Sequence, residues 1–99
     1  MLDQLQLSTF QPLVGQRFSL HADAGGAEAL PFVLVEANAL GHGESRPRIP
    51  FSLVFRGPLQ PVMPQRIYRL ELEALGAFDL FLVPIGRDPQ GMRYEAIFT

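Results

Sequence analysis

Two histidines each stand two places before a carboxylate, in His21-x-Asp23 and His42-x-Glu44. In an extended segment such residues share a face, so each pair offers two ligands, and four of this type suit zinc or iron. Spacings of this kind also arise constantly by chance. His21 falls on the polar face of a predicted strand, where an imidazole is solvated, and Glu44 falls in a glycine-flanked loop, so no metal site is expected. Ser19 lies two residues before His21 on the same predicted face, and Ser45 lies in the long loop. Neither sits on a Gly-x-Ser-x-Gly elbow and no third member is indicated, which argues against nucleophilic catalysis. Glu71 and Glu73 would run acid–base chemistry only if one were desolvated. With Arg69 beside Glu71, they read instead as a solvated strand face with cross-strand charge pairs. Gly25-Gly26 and Gly41-His42-Gly43 lack the following helix that a phosphate cradle needs. No catalytic residue, metal or cofactor is assigned, and the chain is read as a non-enzyme.

Composition removes further classes. There is no cysteine, hence no disulfide, thiolate metal site or thiol nucleophile. There is no lysine either, which rules out Schiff-base chemistry, pyridoxal phosphate attachment and a P-loop lysine. A formal net charge of -2 supplies no basic excess for phosphates, so nucleic acid is not expected as a partner. The start, Met1 to Leu7, has neither a basic region nor a long apolar run and does not read as a secretory signal. No stretch approaches the ~20 apolar residues of a membrane helix, so no membrane association is expected and the expected address is cytoplasmic.

The elements that would position any site are short strands. With 47% hydrophobic and 18% charged residues, disorder is not expected, and 99 residues make one domain, 1–99, around one core. Nine prolines and nine glycines cut the chain into apolar runs rich in Phe, Val, Ile, Leu and Tyr, the mark of an all-β sandwich or barrel. Thr9 is placed to cap a single helical turn that Gly15 ends. Strands are predicted over 16–22, 29–37, 51–56, 66–72, 78–85 and 93–98. Their alternation turns Phe18 and Leu20, then Phe51, Leu53 and Phe55, then Tyr68, Leu70 and Leu72, then Tyr94, Ala96 and Phe98 inward. Pro31 suits a strand start at a sheet edge. Consecutive short strands pair as antiparallel neighbours in most cases. The fold class is therefore mostly β: about six antiparallel strands in a meander, forming a small barrel or curled sandwich, with at most a short N-terminal helical turn.

Several strings in the chain are specific: Phe51-Ser52-Leu53-Val54-Phe55-Arg56-Gly57-Pro58, Pro64-Gln65, Tyr68-Arg69-Leu70, Leu75-Gly76, Phe81-Leu82-Val83-Pro84-Ile85-Gly86, Gly91 and Tyr94-Glu95-Ala96. Together with Pro12-Leu13-Val14-Gly15 and Phe18, they resemble an uncharacterised bacterial family of about hundred-residue proteins, a domain of unknown function. The resemblance covers nearly the whole chain. It implies a compact β domain and an association with phage-tail-collar-like gene neighbourhoods, and it implies no activity and no catalytic residue. Read for themselves, Gly57 and Gly76 sit where turns need backbone freedom, and Pro58 and Pro84 sit at strand ends or edges. Arg56 reads as a buried or half-buried guanidinium tying a loop carbonyl or carboxylate in place.

Two surfaces are candidates for function. The loop over 38–50 is the longest and most polar, with His42, Glu44, Arg46 and Arg48 as its binding residues. The other is the outside of the fifth strand, which has no polar face to give to water. Phe81, Val83 and Ile85, or else Leu80 and Leu82, must point away from the core, and Val54, Ile67 and Ile97 alternate onto the same outer side. An apolar face of that size calls for a cover. Three covers remain open: the N-terminal segment with Leu2, Leu5, Leu7, Phe10, Leu13 and Val14, a second copy of the chain in a homodimer, or a different protein. The function expected is a non-enzymatic structural or protein-interaction module, accessory to a phage-tail-like or other bacterial assembly. The alternative is a small-ligand or carbohydrate-binding barrel that uses the 38–50 loop.

Overall fold

The computed structural model describes residues 5–21, 29–40 and 50–98. It contains strands β1 (Arg17–His21), β2 (Leu30–Ala39), β3 (Phe51–Gly57), β4 (Arg66–Leu72), β5 (Gly76–Asp88) and β6 (Gly91–Phe98). A short helix α1 (Leu7–Phe10) and a 3₁₀ turn (Gln11–Leu13) precede them. All strand pairs are antiparallel and the sheet closes into a barrel, one of the two forms the sequence left open.

The strand order is β1-β2-β3-β6-β5-β4, not the simple meander expected. β3 pairs with β6, from Phe51↔Phe98 to Gly57↔Met92, and β4 closes the barrel against β1 through Ser19↔Glu71 and His21↔Arg69. The reason lies between β3 and β4. Residues 58–65 carry Pro58, Pro61 and Pro64, whose fixed backbone does not suit a hairpin turn, and the chain crosses the barrel end before β4 starts. Where the connections are short, at 73–75 and at Pro89-Gln90, neighbours in sequence do pair.

Of the residues that alternation turned inward, Phe18, Leu20, Phe51, Leu53, Phe55, Tyr68, Leu70, Tyr94, Ala96 and Phe98 are buried, while Leu72 at the end of β4 is only half-buried; Phe32, Leu34, Leu80 and Leu82 complete the core. Both barrel ends are filled. At one, Phe10 of α1 enters among Phe51, Phe78 and Phe98, with ring centroids at 6.0, 6.0 and 5.7 Å. At the other, Met63 is tucked in, and its backbone N–H donates to the Tyr94 hydroxyl at 2.7 Å. The Tyr68 hydroxyl donates to the Pro64 carbonyl, and burial holds that phenol above its ordinary pKa while Arg66 pulls the other way.

Three local expectations change. Thr9 does not cap the helix from outside; it lies in the first turn, where its Oγ1 accepts from the Gln6 backbone N–H at 3.1 Å. Pro84 lies within β5, not at its end: it is the register partner of Tyr94, and the ladder with β6 slips just after it, between Pro84 and Gly86. Gly57 is needed for space: a Cβ there would lie 2.5 Å from Cε1 of Phe32. Gly76, by contrast, takes φ 89, the left-handed conformation that its turn demands. The edge reading of Pro31 holds locally, since β2 pairs with β3 only from Val33 onward.

Candidate functional site

The outer face of β4, β5 and β6 follows from period-two alternation. Leu80 and Leu82 fill the interior, so Phe81, Val83 and Ile85 face out. On β4 the buried Tyr68 and Leu70 turn Ile67 out, and on β6 the buried Ala96 and Phe98 turn Ile97 out. Ile67 and Phe81 are direct cross-strand partners. Carrying the Val83↔Glu95 register on by two residues sets Phe81 level with Ile97, so three large apolar side chains lie in one row across three strands. They are open to solvent: Ile67 is 63% exposed, Phe81 49% and Ile97 55%. Ile85 adds a further exposed side chain, and Val83 is half-buried.

The described part of the N-terminal segment does not cover this row, and Leu2 lies outside the described residues. Phe10 is buried in the core instead, with Leu5, Leu7 and Leu13 packed against it, while Val14 is exposed. A phenyl ring inserted among three others gains more contact there than it would lying flat on a convex strand.

Val54 also departs from the expected surface. It faces outward on β3, yet only 4% of it is exposed. The Arg93 guanidinium on β6 reaches the Glu36 carboxylate on β2, and these two strands flank β3. An ion pair between the flanking strands passes over the strand between them, and Glu36 is the register partner of Val54. The two long side chains thus cover Val54 with their aliphatic stems.

Two charge pairs lie beside the apolar row. Arg69 and Asp79 are cross-strand partners and meet at 3.2 Å. His21 Nε2 and Glu71 Oε1 lie 3.1 Å apart across the β1–β4 closure. Ser19 shares that face, with Glu71 as its register partner. These pairs match the cross-strand charge pairing expected of a solvated face. Among the described residues no group of three His, Asp or Glu side chains could hold a metal ion. No described helix is long and apolar enough to cross a membrane. Asp23 and the proposed loop residues His42, Glu44, Arg46 and Arg48 lie outside the described residues.

One polar arrangement was legible only in half. Arg56 is indeed a half-buried guanidinium, and its partner is the Asp88 carboxylate, with Nε and Nη2 at 3.0 and 2.8 Å from Oδ2. Oδ1 of Asp88 accepts from the backbone N–H groups of Gln90 and Gly91 at 2.8 and 3.0 Å. The Arg56 hydrogen bond, then that of the Gln90 N–H, holds this carboxyl below its ordinary pKa. The string Asp88-Pro89-Gln90-Gly91 announces a turn, but nothing in it points to position 56. The arrangement fixes a hairpin and offers no open position for a substrate.

The family model described as "Domain of unknown function (DUF6916)" matches residues 5–98. No curated protein and no solved structure matches the chain.

Proposed function

We propose, for a chain that belongs to the DUF6916 family of domains of unknown function, that this barrel is a non-enzymatic structural and protein-interaction module. It docks on a protein through the outer face of β4, β5 and β6. In this reading it serves in the bacterial cytoplasm as an accessory piece of a larger assembly, the phage-tail-like setting that the family resemblance implies.

One observation carries the reading. Within the strands the exposed large apolar residues are unevenly distributed: Ile67, Phe81, Ile85 and Ile97 all belong to β4, β5 and β6, while Val14, Leu40, Leu59 and Val62 lie in connecting segments. Among the described residues, none belongs to β1, β2 or β3. Single exposed apolar residues are ordinary on any protein, but several gathered on adjacent strands mark a contact surface. Covering them is worth about 25 cal/mol for each Å² removed from water. The alternative, a small-ligand or carbohydrate-binding barrel using the 38–50 loop, rests on residues 41–49 that lie outside the described ones; among the described residues, Phe10 and Met63 occupy opposite ends of the barrel interior.

The test places a photo-activatable benzophenone side chain at position 81 of the full chain in its native host, with position 33 on β2 as the control. Protein adducts at 81, to any chain including its own, and none at 33 are expected. Equal labelling at both positions, or none at 81, would remove the reading.

A further inference from the structure

We infer that the partner on this face is a second copy of the same chain, related by a two-fold axis that passes close to Phe81. The inference rests on the interaction reading above and names its partner.

The row is nearly palindromic. Across β6, β5 and β4 it reads Ile97, Phe81, Ile67, with the aromatic side chain in the centre and an isoleucine on either side. An isologous interface requires this property: if residue i meets residue j of the other copy, j must also meet i. An axis running along β5 sets Phe81 against its own copy. It lays Ile67 of each protomer on Ile97 of the other. One step along the same registers, Gln65 comes opposite Glu95 of the other copy, a neutral amide facing a carboxylate.

The area fits as well. At about 200 Å² for a fully exposed large side chain, Ile67, Phe81, Ile85 and Ile97 present roughly 400 Å² of apolar surface. A standard interface takes ~800 Å² from each partner, a little over half of it apolar. The patch therefore supplies close to the whole apolar share of one side. The Arg69–Asp79 border of the row is neutral: the two already neutralise each other at 3.2 Å, so the two copies bring no unpaired like charges from this border to the contact.

Sedimentation of the full chain across the micromolar range provides the test. The wild-type chain should shift from monomer to dimer as concentration rises. Phe81→Glu should weaken that association by roughly tenfold or more while leaving the far-ultraviolet spectrum unchanged. Because a single charged variant can fail for unrelated reasons, a charge pair completes the design. Ile67→Glu and Ile97→Arg should each weaken the dimer, and the chain carrying both should recover it, since the axis places position 67 of one copy against position 97 of the other. A wild-type chain that stays monomeric overturns the inference, as does a dimer indifferent to Phe81→Glu or a double variant that does not recover. A monomer that still forms adducts to another protein at position 81 would sink this inference alone and leave the interaction reading standing.

Discussion

Arg56 on β3 and Asp88 at the end of β5 lie 32 positions apart in sequence, yet two guanidinium nitrogens of the one meet a single carboxylate oxygen of the other. The other oxygen of Asp88 holds two backbone N–H groups of the β5–β6 turn. This carboxylate therefore ties a hairpin tip to the strand that β6 pairs with, and the contact joins the two three-stranded halves of the barrel.

The Asp88 arrangement sets a pH dependence. Its folded pKa is depressed, first by Arg56 and then by the Gln90 N–H. The stability linked to its ionised form is thus fully present above the unfolded carboxylate value of about 3.9, and is lost as pH falls through the lower folded value. Asp88→Asn should lower the urea midpoint at neutral pH and flatten the acid limb, so that the two chains converge at low pH. Parallel limbs for the two chains would show that Asp88 is not the linked group.

Gly91 sits where the hairpin crosses β3. A Cβ at this position would lie 2.2 Å from the Gly57 carbonyl oxygen and 2.8 Å from Cγ of Arg56. Backbone cannot swing aside as a side chain can, so Gly91→Ala should cost about 1–3 kcal/mol, the range for overpacking. Chemical denaturation measures it, and a cost within experimental error would refute the close approach.

Tyr94→Phe removes the hydroxyl that accepts from the Met63 N–H at 2.7 Å. The donor is then left buried and unpaired, at a cost of about 1–3 kcal/mol. Amide exchange at Met63 should accelerate more than exchange in β1 or β2. Unchanged protection at Met63 would mean that another group satisfies it.

Two phenylalanines separate core from surface. Phe10 is fully buried and plugs a barrel end, so Phe10→Ala should destabilise by about 3–5 kcal/mol. Phe81 is half exposed on the outer row, so Phe81→Ala should change the stability of the monomer by only about 0.5 kcal/mol or less. Similar losses for both, measured at a concentration low enough to exclude association, would show that the row belongs to the core.

Much of the fold was legible because it depends on periodicity. Tyr68, Leu70, Tyr94, Ala96 and Phe98 alternate with polar neighbours, and a strand has only two sides. The six strands, their inward residues and the excess of apolar surface on β5 followed from that, with ends shifted by a residue or two in most of them. The destination of the N-terminal segment did not follow. Phe10 pairs with Phe51, Phe78 and Phe98, positions brought together only when the barrel closes. Nor did the burial of Val54, which depends on an ion pair between residues of two other strands.

What the sequence determined by itself is local: where strands run, which side chains turn inward, and that no cysteine or lysine chemistry is available to the chain. The tertiary structure alone decided which strands are neighbours, which acid answers Arg56, and which part of the outer face stays bare. Alternation is a property of one strand and its two faces. Strand order, ion pairs across strands and the filling of barrel ends depend on segments far apart in the chain, and closure of the sheet is what brings them together.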